Sequence, residues 1–176
     1  MVNTLICRTD LRLIPVLAKY DVCVYCDGNI KITNPNLISD LLSQAKSTDL
    51  LLLSQHSRRN SAYREADVSM KISKYNNTNI RKQITHYRAE GFPTNFPLFW
   101  NGFLIYLNPH SPLMDKFYTT YTRETINYCK DKRSRYHAQG QVSLPYVLWK
   151  TSLPVCMVPP MLGKNGHSIK LSHHKR

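Results

Sequence analysis

The fold that this sequence predicts is decided by one stretch, Asp21-Val22-Cys23-Val24-Tyr25-Cys26-Asp27-Gly28-Asn29. Residues 22 to 26 are mostly β-branched or apolar, and an Asp-Gly-Asn turn signal follows them directly. We therefore expect a buried strand that ends in a turn. The side chains of Asp27 and Asn29 then lie at the carboxyl end of a strand, which is where ligands bind in an open α/β sheet.

The pattern downstream of this strand is that of an α/β protein. Asn34-Pro35 predicts a helix start, and apolar residues at helical spacing up to Ala45 predict about three turns. The apolar run Leu50 to Leu53 indicates a second buried strand. Strand, helix, strand is the α/β signature. Further helices are expected over 62–72, 79–90, 111–128 and 139–150, a strand over 102–107, and a proline-interrupted irregular segment over 92–99.

The composition fits one domain with a buried core, since the chain has 176 residues. We expect that domain to span residues 1–153, followed by an irregular, basic, His-containing tail over 154–176. Lys and Arg total 24 against 11 Asp and Glu, so the net charge of +13 favours anionic ligands. The sequence has neither an apolar run long enough to cross a bilayer nor a signal-peptide pattern, so we expect a cytoplasmic protein.

Two interpretations of the Asp27-Gly28-Asn29 turn are open. Oxygen ligands two residues apart can converge on a hard cation such as Mg²⁺ or Mn²⁺, which would also contact a diphosphate. The alternative is an ordinary Asp-Gly turn, in which Gly28 supplies a positive φ and no ligand is bound. Spacing alone does not decide between them.

Several segments, in the same order along the chain, resemble the motifs of a glycosyltransferase-like family. This family was once catalogued as a domain of unknown function and includes plant mucilage-related proteins. The segments are Tyr20 to Ile32, Gln55-His56-Ser57-Arg58, Tyr63-Arg64-Glu65-Ala66, Gln83 to Gly91, Asn101 to Ile105, and Gln141-Val142-Ser143 with Tyr146 to Lys150.

The resemblance implies a fold of the GT-A type, with a mixed, mainly parallel sheet and flanking helices. Members of the family carry a preceding strand-rich segment that should cradle the nucleotide base. Few residues precede Asp27 here, so the resemblance implies that this segment is missing. It would then reside on a partner chain, or the chain would be a truncated product.

The resemblance also implies an activity and a donor site. The activity is transfer of a hexose or pentose from a nucleotide-diphosphate donor to a hydroxyl of a glycan or protein acceptor. Asp27 matches the aspartate that holds Mn²⁺ or Mg²⁺ and the donor diphosphate, with Gly28 beside it and Asn29 as a second ligand. His56 and Arg58 match donor-side positions, where a guanidinium could stabilise the leaving diphosphate. Without the family, this segment indicates only a solvated basic loop.

Acceptor and catalytic positions follow from the same resemblance. Glu65 is expected to orient the acceptor or act as general base, because a carboxylate can take a hydroxyl proton. Its alternative is an exposed helix residue paired with Arg64 or Lys71. Asn101 and Gly102 are expected at the acceptor.

The sequence departs from the family's pattern just before the closing helix. An aspartate usually precedes the closing helix, whereas this chain has Gln139-Gly140-Gln141. The resemblance implies that Gly140 replaces this aspartate and that Gln141 remains as a candidate catalytic residue, so a weakened or inactive enzyme is an alternative to an active one.

Two functions of other classes stay open. A noncatalytic remnant of the fold that binds a partner explains the missing aspartate. A nucleic-acid-binding module explains the net charge and the basic stretch Lys130 to Arg135 with its neighbouring tyrosines. The nucleic-acid-binding function gives no role to Asp27, so we do not expect a nucleic-acid partner.

Overall fold

The structure, a computed structural model, describes residues 8–71, 78–128, 137–161 and 169–171. Two short 3-10 helices, Leu11–Leu13 and Pro15–Lys19, precede the first strand. The elements that follow are β1 (Val22–Cys26), β2 (Ile30–Ile32), α1 (Leu37–Leu42), β3 (Leu51–Gln55), α2 (Ala62–Lys71), α3 (Thr78–Ala89), β4 (Phe99–Leu107), α4 (Pro112–Tyr128), α5 (His137–Thr151), β5 (Val155–Val158) and β6 (Ile169–Leu171).

The main sheet has four strands in the order β1-β4-β3-β5. β4 is antiparallel to both β1 and β3, whereas β3 and β5 are parallel. The predicted α/β class with a mixed sheet and flanking helices is confirmed. β1, β3 and β5 point the same way, as expected of a mainly parallel sheet. Most hydrogen-bonded neighbours are nevertheless antiparallel, because the reversed β4 lies between β1 and β3.

Alternate residues of the central strands face two apolar cores, as the period of a strand requires. On one face, Leu51, Leu104 and Tyr106 pack in a core that includes residues of α2, α3, α4 and α5. On the other, Leu52 and Ile105 pack in a smaller core with residues of α1, β5 and β6. β3 and β4 are therefore covered on both faces, which makes their ends a rigid base for the loops that follow.

β1 is a strand, as its sequence predicts, but the expectation that it is buried is wrong. It ends the sheet order next to β4, and Cys23 is its buried residue. Val22 and Val24 are exposed. A strand with one neighbour can leave one face open to solvent, so an apolar run of this kind does not by itself show burial on both faces.

The four long predicted helices are confirmed, with bounds shifted by a few residues. Gly91 has a φ of 81° after α3, which is the left-handed geometry expected of a glycine at a helix end. The segment between α3 and β4 is irregular, as its prolines predict. α1 is shorter than the predicted three turns, because Gln44 and Ala45 continue with turn-type bonds to Leu41 and Leu42.

The segment 154–176 differs from the irregular tail that its sequence predicts. Residues 155–158 form β5, which pairs with β3, and residues 169–171 form β6, which pairs with β2. Both runs are too short to show a periodic pattern, and each is a strand only because a distant partner pairs with it. The histidines of this segment lie outside the described residues. Over the described ranges, no helix is long and apolar enough to cross a bilayer.

Candidate functional site

Asp27 lies at the carboxyl end of β1 and opens a turn. Its N–H donates to the carbonyl of Gly102 at 2.8 Å, and its own carbonyl accepts from the N–H of Ile30 at 2.9 Å. The Tyr25 hydroxyl donates to Asp27 Oδ1 at 2.6 Å. Burial, followed by that hydrogen bond, raises the pKa of Tyr25 to about 12, so the hydroxyl keeps its proton at neutral pH. The main chain and one neighbouring side chain thus fix the carboxylate.

Gly28 and Asn29 complete the turn from β1 to β2. Gly28 is exposed, its φ lies outside the left-handed region, and no heavy atom lies within 4 Å of the position that a Cβ would take. Neither the backbone nor packing requires glycine here. The alternative in which Gly28 supplies a positive φ is therefore wrong. Asn29 is partly buried in the same turn, and the face over Gly28 is open to a ligand.

Gly102 of β4 is a glycine for a different reason. A Cβ at this position would lie 2.9 Å from Asp27 Oδ2 and 3.0 Å from the ring of Trp100. Contacts this close would displace one or both side chains. The absent side chain of Gly102 therefore makes room for the Asp27 carboxylate, which lies directly against the β4 backbone.

β4 bulges away from β3 at this point. Leu53 pairs with Leu104 and Gln55 with Phe99, so residues 100–103 of β4 face the single residue 54 of β3. A bulge of this kind leaves main-chain groups without ladder partners. Bulges are also common beside functional sites, where they redirect side chains.

Gln141 of α5 supplies the missing partners of the bulge. Its Oε1 accepts from the N–H of Asn101 at 3.2 Å, and its Nε2 donates to the carbonyl of Phe99. The side-chain Nδ2 of Asn101 donates in turn to the Tyr121 hydroxyl at 2.9 Å. Gln141 is 5% exposed and Asn101 is 1% exposed. Both predicted residues therefore adjoin the Asp27 turn, where they hold the main chain of β4.

Arg8 belongs to this region although no motif in the sequence singles it out. Its guanidinium carbon lies 5.4 Å from the centroid of the Tyr25 ring, and its Nη1 lies 3.4 Å from the carbonyl oxygen of Asn101. The residue is 4% exposed. Only the packing of the N-terminal segment against β1, β4 and α5 brings it here.

The donor set at the turn limits which metal site is feasible. The described residues contain no group of three or more His, Cys, Asp or Glu side chains that could hold a metal ion. Asp27 supplies one carboxylate and Asn29 one amide oxygen in the same turn. This set fits a Mg²⁺ or Mn²⁺ ion that takes its other oxygens from phosphates and water, as Mg²⁺ commonly does. It does not fit a cation held by protein ligands alone.

A second polar region follows β3. An open cleft of about 850 Å³ is lined by arginines, amides and apolar residues. The lining residues are Gln55, His56, Ser57, Arg58, Arg59, Asn60, Arg64, Val68, Asn95, Pro97 and Leu98. None of them carries a carboxylate, so this arginine cleft is a site of positive potential.

His56 organises the loop that forms one wall of the arginine cleft. Its Nδ1 accepts from the N–H groups of Arg58 and Arg59, each at 3.1 Å. Burial, followed by the positive charges of Arg59 and Arg58, lowers the pKa of His56 to about 4. The imidazole is therefore neutral at pH 7. Its Nε2 lies 3.3 Å from Arg59 Nη2, so both ring nitrogens contact the loop, and the positive charge of the cleft comes from its arginines.

Glu65 is buried beneath this loop instead of exposed on its helix. It is 6% exposed, and its Oε2 forms an ion pair with Arg59 Nε. Among the described residues, the ion-pair partner of Glu65 is thus Arg59, and not Arg64 or Lys71 as the exposed-helix alternative expects. A carboxylate held in this pair must be released before it can take a proton, so its role as general base stays a prediction.

The two regions share one end of the sheet. β1 and β3 run in the same direction, so Asp27 and His56 both follow strand ends, with the start of β4 between them. Two strand spacings amount to a lateral separation of about 10 Å. The structure thus brings Asp27, Gly102 and Gln141 together, and it places His56 and Glu65 in a neighbouring cluster.

Comparison with known families identifies the class of protein. A family model described as "TOD1/MUCI70, glycosyltransferase-like domain" matches residues 9–102. The chain belongs to this glycosyltransferase-like family. The matched segment contains the Asp27 turn, the arginine cleft and the start of β4. Arg8 lies immediately before it and Gln141 lies beyond it.

Comparison with solved structures gives a more distant similarity. The crystal structure of mouse xyloside xylosyltransferase 1 in its apo form is similar over 88% of this chain and 50% of its own, with 10% sequence identity and a TM-score of 0.46. The chain thus spans half the length of that structure. No curated protein matches the sequence significantly.

Proposed function

We propose that this chain forms part of a glycosyltransferase that binds the diphosphate of a nucleotide sugar at the Asp27 turn. The observation that carries the proposal is the Asp27 carboxylate, fixed at a strand end beside an open glycine, within the segment matched by the glycosyltransferase-like family. A ligand phosphate can approach the backbone at Gly28 because no side chain is there.

In the proposed reaction, an acceptor hydroxyl on a glycan or protein attacks the anomeric carbon of a hexose or pentose. The bond from that carbon to the diphosphate oxygen breaks, and the nucleoside diphosphate leaves with the electron pair. The hydroxyl proton passes to a base, for which Glu65 is the candidate once Arg59 releases it. A divalent cation at Asp27 and Asn29, Mn²⁺ or Mg²⁺, would neutralise charge on the leaving diphosphate.

The arginine cleft extends the proposed donor site. Arg58 offers a guanidinium in the loop after β3, and the ends of β1 and β3 lie about 10 Å apart, a distance that a nucleotide sugar can span. His56 would hold the loop that presents Arg58, since its Nδ1 accepts from the N–H groups of Arg58 and Arg59. Asn101 and Gly102 would act on the acceptor side through the shape of the β4 bulge, because the Asn101 side chain is buried.

A second candidate is a noncatalytic member of the family that binds a ligand or partner without sugar transfer. Gln141 favours this candidate, because both ends of its amide are hydrogen-bonded to β4. The aspartate expected before it is absent, since residue 140 is a glycine. The nucleic-acid alternative rests on Lys130 to Arg135, which lies outside the described residues.

The experiment is a thermal-shift panel of UDP, GDP and their sugars, each with and without Mn²⁺. Binding of a ligand to the native state raises the midpoint, by about 2.7 kcal/mol of stability at a hundred times the dissociation constant. We expect at least one nucleotide to raise the midpoint with Mn²⁺, and Asp27→Asn to abolish that rise. The matched control is Asp21→Asn, an exposed aspartate beside β1, which keeps the response.

Release of nucleoside diphosphate from the bound donor then separates the two candidates. Turnover in the presence of acceptor glycans supports the transferase, and binding without turnover supports the noncatalytic member. A panel in which no nucleotide shifts the midpoint contradicts the proposal.

A further inference from the structure

Arg8 places a buried positive charge beside the Asp27 turn. The residue is 4% exposed, and its Nη2 packs against Gly140 of α5, where a Cβ would come within 2.6 Å of that nitrogen. Among the residues that the structure describes, Nε and Nη2 have no hydrogen-bond partner. A guanidinium in such a position costs free energy unless a negative charge balances it.

Asp27 is the carboxylate whose charge acts on Arg8. Burial acts to lower the pKa of Arg8, while Tyr121, Tyr25 and Asp27 act to raise it, and the net result lies above the ordinary value. The ion pairs between described residues do not include Arg8. The negative charge that balances its guanidinium therefore acts without a direct ion pair.

Tyr25 contacts both charged groups. Its ring lies under the guanidinium of Arg8, with 5.4 Å from the guanidinium carbon to the ring centroid. Its hydroxyl donates to Asp27 Oδ1 at 2.6 Å. A buried cation over an aromatic face is a favourable contact, so the position of the Arg8 guanidinium restricts the Tyr25 ring. The restricted ring in turn restricts the carboxylate that it holds.

We propose that Arg8 is the positioning residue of this site, whose buried guanidinium fixes the place and the electrostatic surroundings of Asp27 through Tyr25. The inference rests on the proposed function in that Asp27 is the residue which binds the donor. A carboxylate that is already held in its binding position loses little conformational entropy when the ligand arrives. Arg8 therefore acts on affinity without touching the donor.

The first test is a thermal double-mutant cycle without ligand, with Arg8→Met, Asp27→Asn and the double variant. Asparagine at position 27 still accepts the Tyr25 hydrogen bond but carries no charge. We expect Asp27→Asn to lower the midpoint by about 5 °C when Arg8 is present and by less than about 2 °C in the Arg8→Met background. Equal shifts in the two backgrounds would overturn the inference, because a merely structural arginine is indifferent to the charge at position 27.

The second test measures the affinity for UDP and for GDP in the presence of Mn²⁺. For whichever nucleotide binds the wild type, we expect Arg8→Met to lower the affinity at least ten-fold. Arg8→Lys, which keeps the charge, should restore part of that affinity. The matched control is Arg12→Met. Arg12 belongs to the same N-terminal segment but pairs with Asp10 and Asp115, so the affinity of this variant should stay within about two-fold of the wild type.

The outcomes separate this inference from the proposed function. If the wild type binds no nucleotide, the proposed function fails and the thermal cycle still decides the role of Arg8. If nucleotides bind and Arg8→Met binds them as tightly as the wild type, the positioning role is wrong. Should Arg8→Met not fold, Arg8→Gln, which also removes the charge, takes its place in the cycle. A smaller shift for Asp27→Asn than in the wild type then supports the inference, and an equal shift contradicts it.

Discussion

The Asp27 turn and the arginine cleft lie at the same end of the sheet, yet they hold their charges in opposite ways. At the Asp27 turn, the charged and polar groups are packed against glycines and a strand bulge, and Arg8 is almost inaccessible. In the cleft, Arg58 and Arg64 are exposed, and the neighbouring carboxylate of Glu65 lies behind the wall in its pair with Arg59. A site that must fix one carboxylate needs a dense surrounding, whereas a surface that attracts an anion needs accessible charge.

From this contrast we infer that the Asp27 turn contributes to the stability of the fold, whereas the arginine cleft attracts anions. Substitutions at the Asp27 turn should therefore change the free energy of unfolding, and substitutions in the cleft should mainly change its response to pH and to anions. Three substitutions test that division, in decreasing order of expected effect.

Gln141→Leu should have the largest effect, because it removes the partners of two buried main-chain groups of the β4 bulge. An unpaired buried group costs about 1–3 kcal/mol, so we expect a loss of about 3 kcal/mol and a midpoint about 9 °C lower. Chemical denaturation gives the free energy directly. The exposed Gln44, changed to Leu, is the control and should stay within about 0.5 kcal/mol. Equal stability of both variants would mean that α5 does not hold the bulge.

Gly102→Ala should have a smaller effect, set by the close approach of Asp27 and Trp100. Overpacking of this kind costs about 2 kcal/mol, and the displaced carboxylate should also weaken nucleotide binding. Gly28→Ala is the matched control in the same site, since its Cβ meets nothing within 4 Å. We expect its unfolding free energy to match the wild type. A midpoint for Gly102→Ala equal to that of Gly28→Ala would contradict the packed geometry.

His56→Asn should have the smallest effect at neutral pH, because its effect on stability is confined to acid. The pKa of His56 falls from its ordinary 6.5 to about 4 in the folded protein, so the unfolded chain binds more protons in that interval. The stability contributed by the neutral ring is fully present above pH 6.5 and is lost as the pH falls towards 4. Midpoints measured across this interval should fall less steeply for His56→Asn than for the wild type. Parallel curves would mean that the ring is not held neutral by its surroundings.

The strands and long helices could be predicted from the sequence because local pattern and tertiary role agree in them. Residues 22–26 and 51–55 both form strands that are followed by polar residues, although the first strand lies at the sheet edge and is less buried than its pattern indicates. The Asp27 turn was found by the same reasoning. Its packing against Gly102 was not, because nothing in the local pattern shows that a bulge of β4 would meet it.

What the sequence did not reveal depends on distant partners. β5 and β6 are short runs that become strands only by pairing with β3 and β2. Arg8 is one of 24 basic residues, and its burial follows from separate segments that pack around it. Glu65 was expected to be exposed or catalytic, and its pairing with Arg59 depends on the loop that His56 organises.

The central claim is tested most directly by the coupling between Mn²⁺ and nucleotide at Asp27. The measurement is the dissociation constant of the nucleoside diphosphate with and without Mn²⁺, by titration calorimetry, for the wild type and Asp27→Asn. We predict that Mn²⁺ tightens binding at least ten-fold in the wild type and leaves it unchanged in the variant. The same gain in both proteins, or no gain in either, would contradict a donor site built on this carboxylate.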